Sequence, residues 1–573
     1  MAGDDAMTAG ARAAAAAPPR SARPFAVTSW LALAFGLVFA ALTLSPGYVA
    51  GTGAYWQAPP GDAAAGQIGW LYYARDAWRL PLLATGTYHL PEGASLALSD
   101  SLPLLGLPAK LFYRAVWPAG GAPPVYMGLW VALCLVLQAV AASRLLHALG
   151  VVRPVPHLAG LVLLCYVPML FLRFGHAALM AQFSILLALE GYVRAKRGAP
   201  TRSGWMWLCA LPVAALLVHP YLAAMSGALV AATILDQWRE RRLRWRGVLL
   251  RFAGIAAAAS LLAAVCGLPA AARDFGDYGE YSLNLLSPWV PFAQTTLGHW
   301  LGTQTPSIPD AHQWEGGAYL GAGALLLVLA ALPALRDWRA SLRRHAVLLA
   351  VLAALLAFAV SHRIGLGSMQ LARLPLPDAL LHAFSQLRGS GRFVWVAVYA
   401  LLAAAVAAVA RRRRAAPALL AAAALLQLAD VGPMQAGVRA ASASPAPATI
   451  DVAAWTRLID AHARVFQYPS FECGGLFGRD VPGSRFRELE IDWLLAQRNK
   501  PTNSAYLARY TKDCARERAE AAANLAEPGV LRLYRSTDEV GAFLAAQGLD
   551  ASRCGYLDDV VVCSAGRDLS ATR

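Results

Sequence analysis

Charge is scarce in this sequence. Asp, Glu, Lys and Arg make up 15% of its 573 residues, against 58% hydrophobic, and the apolar residues gather in runs with the charges held between them. That pattern excludes an ordinary water-soluble enzyme and points to a polytopic α-helical membrane protein. A helix needs about 20 apolar residues to cross the hydrocarbon core. The runs therefore predict about eleven transmembrane helices, at 26–46, 124–146, 156–173, 177–195, 204–218, 220–236, 248–268, 317–335, 345–361, 393–410 and 415–430. The break between 204–218 and 220–236 is placed at His219-Pro220, because basic clusters on both flanks require an even number of crossings.

Further absences narrow the class. No zinc-type spacing of His and Cys occurs, and no glycine run qualifies as a phosphate-loop signature. Neither an internal repeat nor a matched pair of broken helices is present, which a symmetric transporter would more often show. No organelle-targeting pattern appears, and the first span comes too late and runs too long for a cleaved signal. Residues 1–25, rich in Ala, Pro and Gly, read as a disordered cytoplasmic tail, and the Ala/Arg-rich composition suits a bacterial inner membrane.

A net charge of +16 would suggest nucleic acid in a soluble protein. Here the basic residues cluster at alternate span ends and report orientation instead, since cytoplasmic loops are enriched in Lys and Arg. The clusters at Arg20 and Arg23, Arg144 and Arg153, Arg194 to Arg202, Arg239 to Arg251, Arg336 to Arg344 and Arg411 to Arg414 can all lie on one side. With the N-terminus cytoplasmic, eleven spans put the C-terminus in the periplasm. Cysteine usage agrees. Cys134, Cys165, Cys209 and Cys266 fall in apolar spans, where a small buried hydrophobe is the default. Cys473, Cys514, Cys554 and Cys563 fall in the polar tail, where an oxidising compartment favours two disulfides. Four cysteines allow three pairings; Cys473 with Cys514 and Cys554 with Cys563 are favoured because each closes a local loop.

The layout is then a transmembrane domain over 26–430 with external segments 47–122, 269–316 and 362–392, a linker over 431–449, and an external α/β domain over 450–573. In that tail VFQYPSF, GVLRLY and DDVVVC read as strands, and 451–464, 484–498, 504–525 and 537–547 as helices. The first external segment has about 75 residues, far beyond the usual connection of about 4 to 6, and long loops of this kind tend to be functional. Within it, 67–80 and 102–117 are too short and polar to span, and are expected to lie as amphipathic helices at the headgroups.

Asp62, in WQAPPGDAAAGQIGW, is placed to act as a general base on an acceptor hydroxyl; the competing reading is a solvated loop acid. Asp100, in LSDSLPLL, competes with a role as N-cap of the second amphipathic helix. Arg388 and Arg392, in SQLRGSGRFVWV, suit a phosphate, with an interfacial anchor as the alternative. His176 and His219 stand at outer span ends with Arg173 nearby, and ionisable residues at membrane depth raise a functional hypothesis. For His219 a helix-end partner is the commoner explanation. Asp277, Glu280, Tyr281 and Glu315 are candidates to line an acceptor cleft.

Taken in order, PPGDAAAGQIGWLYYARDAWRLPL, LSDSLPLLGLPAKLF, RFGHAALMAQF, GDYGEYSLNLLSPW, QWEGGAYLGAG and LRGSGRFVWVAVY resemble a bacterial multi-pass membrane family known as domain of unknown function 6311. That family is similar in architecture to the GT-C glycosyltransferases. The resemblance implies a GT-C-like enzyme that takes a sugar from a polyprenyl-phosphate donor and transfers it to a cell-envelope or lipid-linked glycan acceptor on the periplasmic face. It also implies that Asp62 is the first-loop acid and that Arg392, then Arg388, meets the donor phosphate. Asp62 is followed by three alanines where many GT-C enzymes have a second acid, so a divalent cation would need Asp100 or Glu315 from a distance. A mechanism without cofactor is favoured. The alternatives are a flippase-like transporter and a degenerate GT-C scaffold. A transporter would need a polar track, yet the spans offer little beyond Gln138, Gln182 and Glu190.

Overall fold

The computed structural model describes residues 23–118, 120–268, 278–333, 338–412, 414–478, 483–509, 512–523, 527–535, 537–547 and 551–565. Residues 1–22 of the expected tail, and with them Arg20, lie outside this set, as do Asp277, Arg336 and Arg413.

Apolar runs become helices because a backbone in hydrocarbon must satisfy its own polar groups. Each of the eleven expected intervals contains a helix. Five are long and apolar enough to cross a membrane: Met127–Leu149, Ala177–Arg197, Trp245–Cys266, Ser390–Ala410 and Ala416–Ala443. Pro154–Cys165 and Ala322–Ala331 are apolar but shorter. At 1.5 Å per residue such helices rise only about 15 to 18 Å, roughly half a hydrocarbon core. Proline explains one shortening. Pro168 opens a separate short helix, Pro168–Phe171, and so divides the expected interval 156–173. Proline also fixes the break at His219, where Arg202–Leu216 ends and Pro220–Arg239 begins, the two packing against each other.

Each polar side chain noted in the spans has a partner within the bundle. Gln138 Nε2 donates to Tyr399 Oη (2.9 Å), which donates to Gln182 Oε1 (2.7 Å). Glu190 accepts from Arg144 (2.8 Å) and Arg194 (2.5 Å). Lys196 pairs with Asp236 (2.6 Å) and donates to Arg344 O, while Arg239 binds the same Asp236. Four of the basic clusters thus meet at one end of the bundle. The opposite ends of these helices, marked by Trp130 Nε1 on Ala177 O (3.0 Å) and by His219, carry the long loops and the tail.

The helix Gly61–Arg75, hereafter the loop helix, is buried at every residue from Ala63 to Ala74. It does not lie at the headgroups as 67–80 was expected to. Apolar residues surround it on all sides, and a surface helix needs one polar face. The second segment forms Pro103–Ala115 and leaves Leu111 and Phe112 exposed, with Val116 and Trp117 beyond it, the form an interfacial helix takes.

Helix Ala416–Ala443 continues through 431–443 of the expected linker. The tail that follows has a four-stranded sheet. Arg464–Tyr468 runs parallel to Val530–Tyr534, which pairs antiparallel with Val560–Ser564, itself antiparallel to Cys554–Leu557. The last of these strands is absent from the sequence reading. The expected helix 504–525 begins only at Cys514, and residues 501–509 form an extended strap. Its backbone bonds go elsewhere: Thr502 bridges to Tyr88 and Val465, and Ala508 N donates to Leu98 O (2.8 Å). Disulfides join Cys473 to Cys514 and Cys554 to Cys563.

First loop and tail share one apolar cluster. Ala64, Ala65, Ile68, Leu71 and Tyr72 pack against Leu489, Trp493 and Ala496 of helix Ser484–Gln497 and against Ala505 and Leu507 of the strap. Tyr72 Oη donates to Lys500 O (2.6 Å) and Trp493 Nε1 to Gln57 O (2.8 Å).

Candidate functional site

The site forms where the loop helix begins. Pro59-Pro60 precede Gly61, whose φ of 47° suits glycine, and Asp62 falls in the first helical turn. Backbone N–H groups exposed there favour a carboxylate. The alanines that follow have a packing role: the small side chains of Ala64 and Ala65 let the tail come close, and Ala63 packs into the bundle core.

Gly66 and Gly69 bring in the second acid. A Cβ at Gly69 would meet Ser99 Oγ at 1.9 Å, and one at Gly66 would meet Asp100 O at 3.3 Å. Glycine is required at Gly69, and a side chain at Gly66 would be tight, for segment 99–102 to lie on the loop helix, where Ser101 Oγ bonds Gly66 O (2.6 Å). Asp100 and Leu102 both have φ of 54°. Left-handed backbone is tolerable for aspartate but strained for leucine, and such strain collects at functional sites. The N-cap of Pro103–Ala115 is Leu102; the capping role weighed for Asp100 is not what its carboxylate does.

That carboxylate faces two histidines. His176 Nδ1 is 3.6 Å from Asp100 Oδ2, and His219 Nε2 is 3.7 Å from Asp100 Oδ1. The other edge of the His176 ring meets Asp62, with Nε2 3.1 Å from Oδ2. His176 therefore stands between two acids. Tyr506, from the tail strap, completes the group by donating from Oη to Asp62 Oδ1 (3.1 Å). Burial would raise the Asp100 carboxyl, but His176, His219 and Arg392 outweigh it and hold it at about 2. His219 is pushed down to about 4, mainly by burial. Its Nδ1 accepts from Tyr221 N (3.2 Å), so the helix-end explanation describes one side of its ring and Asp100 the other. Burial raises the Tyr506 phenol, and Asp62 beside it adds to the effect.

Behind these acids lies an ion triad. Arg173 Nη1 (2.6 Å) and Arg392 Nη2 (2.9 Å) share one oxygen of Glu315. Burial alone would raise Glu315, yet the two guanidiniums hold it at about 2. Glu315 is only 5% exposed and committed to these arginines rather than to an open cleft. Arg392 also lies over the Tyr221 ring, whose hydroxyl accepts from Gly389 N (2.7 Å).

At the rim Arg388 is exposed and rests over Tyr281, 5.5 Å from its centroid. Tyr281 stacks in turn on His312, which bonds Glu280 (2.9 Å). Arg509, also from the strap, donates to Gln386 O (2.5 Å), two residues before Arg388. Asp62, Asp100, His176, Arg392, Glu315 and, at the rim, Arg388 and Tyr281 thus occupy one region. Tyr506 and Arg509 were missed because their segment reads as helix. The available signal was Pro501 followed by Thr, Asn and Ser, a turn-forming run ahead of Cys514.

The GT-C resemblance raises the matter of a divalent cation. Asp62 and Asp100 are separated by the His176 ring, and among the described residues no group of three or more His, Cys, Asp or Glu is arranged to hold a metal ion.

The family model for a domain of unknown function, DUF6311, matches residues 33–432, and that for the DUF6311 C-terminal domain matches residues 454–565. The chain belongs to the DUF6311 family. Comparison with curated proteins gives no match. Both matched regions of this DUF6311 protein supply the site: Asp62, Asp100, His176 and Arg392 come from the first, Tyr506 and Arg509 from the second.

Proposed function

We propose that this DUF6311 protein is a GT-C-like glycosyltransferase of about eleven spans in the bacterial inner membrane. It moves a sugar from a polyprenyl-phosphate donor to a lipid-linked or cell-envelope glycan on the periplasmic face, where the tail lies. The observation that carries this reading is the pairing of a partly exposed carboxylate, Asp62, with a rim of arginines at the tail-bearing ends of the helices.

In the reaction Asp62 accepts the proton of the acceptor hydroxyl. The hydroxyl oxygen bonds to the anomeric carbon, the bond from that carbon to the phosphate oxygen breaks, and the phosphate leaves with the electron pair. Arg388 meets the developing charge at the rim. Arg392, held by Glu315, adds its field from beneath, which makes Arg388 the direct phosphate contact and Arg392 its support. His176 and Tyr506 orient Asp62, while Asp100, itself faced by His219, orients His176. No step is routed through a metal. Against a transport track stands the engagement of Gln138 and Gln182 with Tyr399, and of Glu190 with Arg144, inside the bundle.

Mass spectrometry of lipid-linked and envelope glycans in a deletion strain tests the proposal. A sugar that disappears, and returns with the native protein but not with Asp62→Asn at equal membrane level, is the expected result. Full restoration by Asp62→Asn would overturn it.

A further inference from the structure

Far from this site, at the end of the bundle where the basic clusters meet, helices Arg202–Leu216 and Trp245–Cys266 diverge around a groove of about 550 Å³. Its walls are apolar, with Trp205 and Met206 on one helix and Leu250 on the other, and its polar lining is Arg202, Arg242 and Arg251. Met206 and Leu250 are 63% and 72% exposed, and no part of the apolar window of Trp245–Cys266 is buried. In a membrane this helix faces lipid, so the groove opens sideways to the bilayer with its arginines near one end.

Charge in the groove is left over. Arg242 is paired with Glu240 (3.2 Å). Neither Arg202 nor Arg251 has a carboxylate within ion-pair distance among the described residues. Arg251 spans the groove with its guanidinium 4.1 Å from the Trp205 ring centroid and is steadied by Gly247 O (2.9 Å), while its Nε is buried without a hydrogen-bond partner. Two guanidiniums without a carboxylate, beside an apolar trough, suit an anion that carries hydrocarbon.

We propose that this groove binds one anionic phospholipid, with its phosphodiester on Arg202 and Arg251 and an acyl chain along Met206 and Leu250. A free phosphate shares the headgroup chemistry but leaves the apolar wall unused; the wall is the reason to assign the site to lipid. This site is independent of glycosyl transfer.

Native mass spectrometry of the detergent-solubilised full chain, with phosphatidylglycerol or phosphatidylcholine added in equal amounts, tests it. Two surface arginines predict a preference of about thirtyfold for the anionic lipid. Two variants probe different halves of the site. Arg202→Gln with Arg251→Gln removes the charge. Gly254→Leu fills the trough, since a Cβ there meets nothing within 4 Å. Loss of the preference in both, with thermal unfolding unchanged, is expected, and a loss confined to the arginine variant should Gly254→Leu unfold supports the site equally. Equal retention of both lipids by the native chain, an undiminished preference in the arginine variant, or displacement of the lipid by millimolar inorganic phosphate would overturn it.

Discussion

The Tyr506 hydroxyl donates a 3.1 Å hydrogen bond to Asp62 across 444 positions of chain. A hydrogen bond to a charged group contributes about 1.5 to 3 kcal/mol. Tyr506→Phe should therefore lower glycan transfer by about 10- to 100-fold and shift its pH profile, with membrane level near native and only a modest fall in unfolding temperature. Unchanged transfer in membranes containing the variant would remove Tyr506 from the site.

Glu315→Gln should act differently. It leaves Arg173 and Arg392 buried side by side without their shared anion, and breaking a buried pair costs about 3 to 5 kcal/mol. Thermal unfolding in detergent should fall markedly. Arg388→Gln, at an exposed position, should change stability by no more than about 0.5 kcal/mol yet weaken transfer, which separates the rim arginine from the structural one.

The pH dependence of stability should come from the join between first loop and tail. Burial pushes the carboxyls of Glu472 up to about 8 and Asp492 up to about 7, and raises Glu488 as well. Around them stand Lys512, Glu517 and His89, whose Nε2 is 3.3 Å from Glu472. The folded state holds protons here that the unfolded chain releases above about 4.5. Stability should thus fall as pH rises from about 5 to about 8, by roughly 1.4 kcal/mol per unit for each extra proton. His89 and His219, both pushed down to about 4 chiefly by burial, work the opposite way below about 6.5, so the fall is clearest above that pH. Asp100 and Glu315, both held at about 2, lose their contribution as pH falls from about 4.5 through about 2. Denaturant unfolding of the full chain at pH 5 and pH 8 checks the sign, and Glu488→Gln should flatten the slope.

Reduction should separate the two disulfides. Cys473–Cys514 closes 41 positions and Cys554–Cys563 closes 9, so loop-closure entropy gives about 4 and about 2.5 kcal/mol respectively. The first also anchors the end of the strap that carries Tyr506 and Arg509. Cys514→Ser should lose transfer activity as well as stability, whereas Cys554→Ser should lose mainly stability.

Much of this was legible in the sequence because it is local. Apolar runs marked the helices, His219-Pro220 marked a break, and short separations favoured the disulfide pairs that form. Asp62, Asp100 and His176 stood out as polar groups in apolar surroundings. What was not legible depends on partners distant in the chain. Whether Ala64 and Ala65 signify a missing acid or a packing face is decided by Leu489 and Trp493. The engagement of Arg392 is decided by Glu315, and the path of 501–509 by Tyr88 and Leu98, which supply the bonds a helix would have made internally.

The apolar patch shared by Ala64, Ala65, Leu489 and Trp493 also orders events during synthesis. The loop helix is made among the first residues and its cover among the last. Until the tail arrives, the helix that carries Asp62 keeps one side wet, and Asp62 lacks its phenol. A chain halted before residue 484 would lack Leu489 and Trp493 as cover for the loop helix and Tyr506 as partner for Asp62, so the last residues made finish the surroundings of one of the first.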